Sequence, residues 1–181
     1  DVVFGATVSG RPVEMKGVDK MLGVFINTLP VRARVVADAP VFAWFHELQN
    51  AQLAMRQFEY SPLVQVQGWS EVPRGLPLFD TILDFENHTA GTSLEELGQT
   101  LRVSDVHTDI KMEYPLFVKA TPGRELLFTI SYDRQRFDDA TITRLTRHLE
   151  TLLAEVAQAD ETKRVREKGF ILYPGKLTQV E

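Results

Sequence analysis

Apolar and other residues alternate at the start of the chain, from Val2 to Val8, until Gly10-Arg11-Pro12 breaks the pattern. A period of two is typical of a half-buried strand, so the sequence predicts a strand over these first residues. Because the apolar pattern begins at residue 2 with no polar lead-in, we expect the chain to open inside a strand, as a fragment would.

Four further strands are predicted from short runs that are rich in branched and aromatic residues. Pro30 lies in the first of them and indicates a sheet edge or a bulge, because proline cannot donate a backbone hydrogen bond. The last two flank Thr121-Pro122-Gly123-Arg124, which is typical of a hairpin turn. A short apolar turn precedes them all at 18–22. The predicted strands are 25–36, 79–85, 116–120 and 126–132.

Two long helices are predicted by apolar residues that recur every three or four positions. The first follows Asp38 as its expected cap, holds Pro40 in its first turn and ends before Ser61-Pro62. The second is capped by Asp138 or Asp139. A shorter helix is predicted over 63–69. The apolar face of the first helix, predicted to be core, includes Trp44, Phe45, Leu48 and Met55, and that of the second helix includes Ile142, Leu145, Leu149, Leu152, Leu153 and Val156.

These elements together predict an α/β fold, a layered mixed β-sheet with long helices packed on it. The polar residues 88–114 are expected to form a long surface connection with one helical turn at 94–97.

Composition narrows the possible functions. The 181 residues carry a formal net charge of -5, which argues against binding nucleic acid or an anionic membrane. No apolar run reaches the 18 or so residues that a membrane-spanning helix needs, and the first residues do not form a signal peptide. The absence of cysteine excludes disulfides, thiolate metal sites and a cysteine nucleophile, and a cytoplasmic protein is the expectation.

The residues taken alone offer no catalytic set. His46 and His148 lie in predicted helices without a partner at metal-ligand spacing. His107-Thr108-Asp109 could form a His/Asp couple, but two residues in a polar loop are a short motif, so all four histidines, His88 included, are predicted to be surface or structural residues. The sequence contains neither a G-x-S-x-G elbow nor a glycine-rich phosphate loop.

Three stretches in order resemble core motifs of nonribosomal peptide synthetase condensation domains. The run G-V-F-I-N-T-L-P-V-R at 23–32 is similar to the fifth motif of that family and follows T-V-S-G-R at 7–11. The run F-E-Y-S-P-L at 58–63 resembles the sixth motif, and P-L-F-D at 77–80 lies near the seventh. With Y-P-L at 114–116 and S-Y-D-R at 131–134, the likeness covers residues 1–160.

The resemblance implies one lobe of a V-shaped fold like that of chloramphenicol acetyltransferase. In such domains, carrier proteins insert phosphopantetheine arms into a tunnel between two lobes, and the acceptor amine attacks the donor thioester to give an amide. The H-H-x-x-x-D-G motif of the family belongs to the N-terminal lobe, and no His-His pair occurs in this sequence. The chain is therefore expected to be the C-terminal lobe, inactive alone. Its expected partners are the N-terminal lobe, peptidyl or aminoacyl carrier proteins and adjacent synthetase domains, and it is expected to bind no cofactor directly.

By the same resemblance, Ser9, Arg11, Asn27 and Thr28 line the substrate channel near strand ends. Ser9 and Asn27 would hydrogen-bond the arm or the substrate amide, and Arg11 would pin a crossing loop. The alternative is structural: Asn27 and Thr28 complete a strand end, and Arg11 pairs with a nearby carboxylate.

The last residues, 161–181, form a tail of uncertain origin. The run at 166–178 resembles a segment near the C-terminus of 2-aminoethylphosphonate–pyruvate aminotransferases, which are pyridoxal-phosphate enzymes. Lys176 does not stand at the position of their Schiff-base lysine, so the tail is not expected to build a cofactor site. A short strand at 170–173, a Pro-Gly turn and poor packing are predicted for it.

Three functions remain open from the sequence. The first is a lobe of an amide-forming acyltransferase, and the second is a non-catalytic half-domain that docks carrier proteins or a partner lobe. The third, an aminotransferase fragment, depends on the tail only. A missing lobe also predicts an exposed apolar surface and self-association.

Overall fold

The structure is a computed structural model, and it describes residues 1–11, 15–86 and 113–166. Its strands are β1 (Val2–Val8), β2 (Asn27–Ala33), β3 (Thr81–Phe85), β4 (Leu116–Thr121) and β5 (Leu127–Tyr132). Its α-helices are α1 (Val41–Met55), α2 (Leu63–Trp69) and α3 (Asp139–Ala157), with 3-10 turns at Val18–Lys20 and Arg56–Phe58.

The strands form one mixed sheet in the order β2-β1-β3-β4-β5. Strands β1 and β3 run parallel, as do β3 and β4, whereas β4 and β5 form an antiparallel hairpin in which Leu116 pairs with Tyr132. The predicted α/β class, the five strands and the hairpin are therefore confirmed. Strand β2 lies at an edge of the sheet, as Pro30 indicated, and proline is tolerated on edge strands because one side of the strand makes no ladder hydrogen bonds.

The described chain falls into two compact units. The sheet unit comprises the described residues of Val3–Val31 and Phe58–Arg136. The helical unit comprises Asp1–Val2, Arg32–Gln57 and the described residues of Phe137–Glu181. The predicted connection at 88–114, with its helical turn at 94–97, lies almost wholly outside the described residues.

Within the sheet unit, the core centres on Phe79, Ile82 and Phe117, which are buried together. The Phe79 and Tyr114 rings stack on each other with centroids 5.5 Å apart. Leu63, the first residue of α2, also packs on this cluster and so anchors the short helix. Burial of these aromatic groups supplies much of the stability of the unit.

Within the helical unit, Val41 is the most deeply buried side chain, with Val165 also buried. The α1 face predicted as core is only half-buried at Trp44, Phe45 and Leu48. The Trp44 indole donates a hydrogen bond of 2.7 Å to the Arg34 carbonyl, which satisfies its one polar atom.

The predicted capping of α1 by Asp38 is wrong. Pro40 is the residue before the helix, with no side-chain cap, and the Asp38 carboxylate pairs with Arg166 at 2.6 Å. Residues 37–41 instead pair with the described part of the tail, where Pro40 and Arg164 form an antiparallel bridge. The Val41 N–H, which an isolated helix would leave unpaired, donates to the Lys163 carbonyl at 2.9 Å.

Helix α3 starts at a side-chain cap, as predicted. Of the two aspartates, Asp138 is the cap, and its carboxylate accepts a 2.6 Å hydrogen bond from the Thr141 N–H. Residues 161–166 are packed by the pairing with 37–41, while the short strand and turn predicted at 170–175 lie outside the described residues. No helix in the described ranges has the length and apolar composition of a bilayer crossing.

Candidate functional site

The four predicted channel residues all belong to the sheet unit and lie on two neighbouring segments. Ser9 and Arg11 follow the end of β1, whereas Asn27 and Thr28 begin β2, the next strand in the sheet. The two segments approach closely, since a Cβ added to Gly10 would lie 1.8 Å from the Phe25 carbonyl oxygen. The structure therefore brings the predicted residues into one region.

Arg11 holds the connection between β1 and β2 by three contacts. Its guanidinium donates to the carbonyls of Val18 and Met21, the latter at 3.1 Å. Its guanidinium carbon also lies 4.1 Å from the centroid of the Phe25 ring, which places the cation over the aromatic face. The two hydrogen bonds hold the backbone at Val18 and Met21, and the ring contact holds the Phe25 side chain.

Asn27 uses both hydrogens of its side-chain amide within the protein. They donate to the carbonyls of Glu59 at 2.9 Å and Ser61 at 2.7 Å. Its remaining polar side-chain atom is Oδ1, which can only accept a hydrogen bond. A substrate amide or amine that meets Asn27 must therefore offer an N–H.

Ser9 and Thr28 differ in exposure. Ser9 is exposed, and its hydroxyl oxygen accepts a long 3.4 Å contact from the Arg11 N–H. Thr28 is half-buried, and its methyl group lies 2.9 Å from where a Cβ on Gly5 would stand. Of the four side chains, the Ser9 hydroxyl is the one most available to a ligand.

Sequence reasoning did not name two features of this region. Gly10 has a φ of 62°, the left-handed region, and no side chain fits beside Phe25 at that point. The carbonyls of Glu59 and Ser61 come from the second motif-like run. The glycine between Ser9 and Arg11 is a local signal that could have been used, whereas a contact over 32 to 34 residues leaves no local signal.

The part of this region that the structure describes contains hydrogen-bonding groups but no evident base. Among the described residues, no group of three or more histidines and carboxylates is arranged to hold a metal ion. Burial, reinforced by Glu113, raises the pKa of Tyr114, so this phenol stays protonated at neutral pH. His46 is exposed on α1, while His88 and His107 lie outside the described residues. The described side chains of this region can position a substrate by hydrogen bonds, and none of the four predicted channel residues is a general base.

The helical unit has a surface hollow. It is an open depression of about 440 Å³ along one face of α1, lined by Phe42, Phe45, His46, Leu48, Gln49 and Gln52. One helix supplies its whole lining, with a single histidine and no carboxylate, so it offers no catalytic pair.

Comparisons with known proteins agree on one family. A family model described as "Condensation domain" matches residues 1–168. A linear gramicidin synthase protein from Brevibacillus parabrevis is 44% identical over 163 residues, which cover 90% of this chain and 2% of that protein. The chain spans only 2–3% of the length of the curated relatives of this kind that it matches.

Solved structures share the fold. The X-domain from teicoplanin biosynthesis superposes with a TM-score of 0.71 at 23% identity, over 91% of this chain and 38% of that chain. The first condensation domain of the calcium-dependent antibiotic synthetase, solved with a substrate analogue, gives a TM-score of 0.67 at 17% identity, over 92% and 37%.

Proposed function

The chain belongs to the condensation-domain family, and we propose that it supplies the C-terminal lobe of a domain that forms amide bonds in nonribosomal peptide synthesis. The observation that carries this proposal is the family match over residues 1–168, supported by 44% identity to a linear gramicidin synthase protein. The order of the motif-like runs at 7–11, 23–32 and 58–63 supports the assignment to the C-terminal lobe.

In the proposed reaction, the amine of an acceptor group on one carrier protein attacks the thioester carbonyl of a donor on another. A C–N bond forms, the C–S bond breaks, and the amine proton passes to the departing thiolate of the phosphopantetheine arm. The arms enter as parts of the substrates, and the chain itself binds no cofactor in this proposal. Its partners are the N-terminal lobe, the two carrier proteins and adjacent synthetase domains.

This lobe would act as one wall of the reaction channel. Ser9 can donate or accept a hydrogen bond with an arm, and Asn27 Oδ1 can accept one from an arm amide or from the attacking amine. Arg11 holds the backbone between these groups, and the Thr28 methyl group packs beside Gly5 of the neighbouring strand. Positioning the substrate lowers the activation barrier of amide formation only if another group accepts the proton of the attacking amine. We therefore propose that the chain is inactive without the lobe that holds H-H-x-x-x-D-G.

A second candidate is a non-catalytic half-domain that docks carrier proteins or a partner lobe. The sequence favours it in one respect, because the 181 residues contain no His-His pair. Binding without amide formation would distinguish it from the first candidate.

The proposal also covers the tail, residues 161–181, and the location of the protein. We treat 1–160 as the lobe and 161–181 as a tail, although the family match extends to residue 168. No aminotransferase activity is proposed for the run at 166–178. A cytoplasmic location suits a chain without cysteine, since disulfides belong to oxidising compartments.

The decisive experiment assays amide formation with donor and acceptor carrier proteins that bear aminoacyl phosphopantetheine. The complete domain, expressed from the full reading frame, is compared with residues 1–181 alone, and mass spectrometry detects the dipeptidyl thioester. We expect product from the complete domain and none from the chain alone. Product from the chain alone would refute the channel-wall role, and carrier binding without product from the complete domain would favour the docking module.

A further inference from the structure

The segment between Met21, whose carbonyl accepts a hydrogen bond from Arg11, and the start of β2 at Asn27 exposes large apolar side chains. Leu22 is fully exposed (101%), Val24 is 95% exposed and Ile26 is 70% exposed. Phe25, which alternates with them along the segment, is instead half-buried beneath the Arg11 guanidinium. The three exposed residues therefore form one apolar edge, which we call the Leu22–Ile26 edge.

This edge is held in place at both ends. Before it, the Val18 and Met21 carbonyls accept hydrogen bonds from Arg11, and after it, Asn27 donates to the Glu59 and Ser61 carbonyls. The segment cannot turn to bury these apolar side chains against the rest of the chain without breaking the hydrogen bonds of Arg11 and Asn27. Exposed apolar groups on a fixed surface are typical of an interaction site, because covering them gains hydrophobic free energy at little cost in ordering.

The chemistry of the edge restricts its partner. No charged side chain occurs from Met21 to Val31, so the three exposed side chains of the edge offer hydrophobic contact and no ionic or hydrogen-bonding group of their own. Solved relatives match 91–92% of this chain but have chains about two and a half times as long, since the match covers only 37–38% of them. A domain of this fold thus contains a large further portion that is available to cover the edge.

We propose that the Leu22–Ile26 edge is the surface on which an uncharged, apolar face of the remainder of the condensation domain docks. The inference rests on the proposed function for the existence of that remainder. It goes beyond it by assigning the docking contact to Leu22, Val24 and Ile26.

The test uses thiol accessibility, because the 181 residues contain no cysteine. Val24→Cys is prepared in residues 1–181 and in the complete domain, each is treated with a maleimide, and peptide mass spectrometry follows the label at position 24. Labelling should be about tenfold slower or more in the complete domain, because attack then requires the interface to open. Arg124→Cys, in the exposed β4–β5 turn, is the matched control and should react equally in both forms.

Equal labelling rates at position 24 in the two forms would overturn the proposal. So would protection that requires loaded carrier proteins, which would make the edge a wall for the substrate, or protection that requires high concentration of residues 1–181, which would indicate a second copy. The amide-formation assay is read separately. A domain that protects position 24 but forms no amide would contradict the proposed function and leave the docking contact intact.

Discussion

The side-chain amide of Asn27 donates a 2.7 Å hydrogen bond to the backbone carbonyl of Ser61. With its second bond to the Glu59 carbonyl, it joins the first residue of β2 to a turn more than thirty residues later. The contact ties the two runs that resemble the fifth and sixth motifs.

Replacing Asn27 tests this link. Asn27→Ala leaves two half-buried carbonyls without their donor, which should cost about 1–3 kcal/mol in the free energy of unfolding measured with urea. Asn27→Asp should cost at least as much, because a carboxylate cannot donate and would lie against two carbonyl oxygens. Asn50→Ala, on an exposed face of α1, is the control and should change stability by less than about 0.5 kcal/mol. In the complete domain, an unchanged condensation rate for Asn27→Ala would refute its channel role.

Alanine substitutions at Gly10 and Gly17 distinguish the cost of backbone strain from the cost of a steric clash. Gly10 and Gly17 both have positive φ, 62° and 77°, but only Gly10 faces a neighbour, since nothing lies within 4 Å of a Cβ on Gly17. Gly17→Ala should therefore cost about 1–2 kcal/mol, the penalty for an L-residue in the left-handed region. Gly10→Ala adds a clash with the Phe25 carbonyl and should cost about 4 kcal/mol or more, or prevent folding. Similar unfolding midpoints for the two variants would contradict the close approach of the two segments.

Elements with local sequence signals are the ones that the sequence predicts correctly. The β4–β5 hairpin and α3 were predicted because their signals are local: a Pro-Gly turn between two apolar runs, and an aspartate before a helical repeat. The α1 cap was predicted wrongly because Asp38 is engaged by Arg166, a residue 128 positions away that no local pattern reveals. The channel residues were brought together as expected on two adjacent segments, yet the hydrogen-bond partners of Asn27 depend on tertiary contacts. Their roles stay predictions until activity is measured.

Arg11 should be irreplaceable by another cation. Its planar guanidinium reaches two carbonyls while it covers the Phe25 ring, and a lysine ammonium cannot make all three contacts. Arg11→Lys and Arg11→Met should each lose about 1–2 kcal/mol of stability. Both should also speed tryptic cleavage at Lys16 and Lys20, the sites in the connection that Arg11 holds. Arg124→Met serves as control, and unaltered cleavage at Lys16 and Lys20 in the Arg11 variants would show that Arg11 does not fix this connection.

Ser9 provides a test of activity that barely disturbs the fold. Its exposed hydroxyl makes only a 3.4 Å contact within the chain, so Ser9→Ala should leave the unfolding midpoint nearly unchanged. If the hydroxyl binds a phosphopantetheine arm, its loss should lower kcat/KM for amide formation by the complete domain by about threefold to tenfold, the value of one neutral hydrogen bond. Ser131→Ala, exposed on β5, is the control. Rates equal to those of the wild-type domain would remove Ser9 from the channel.

The cap of α3 should make stability depend on acid pH. Hydrogen bonds from Thr141, through its side chain and its N–H, lower the pKa of the Asp138 carboxyl below its ordinary value. A lowered folded-state pKa means that the stabilisation is complete above the unfolded-state pKa, about 3.9, and is lost as the pH falls through the folded-state value.

The stability difference between wild type and Asp138→Ala should therefore stay constant from neutral pH down to about pH 5 and shrink below about pH 4. Asp138→Asn is the matched control, because asparagine caps a helix without titrating in this range, and its advantage over Asp138→Ala should persist in acid. Urea unfolding of the three proteins across this range measures both differences. A gap between wild type and Asp138→Ala that persists undiminished at about pH 2 would show that the charged carboxylate is not what stabilises the first turn of α3.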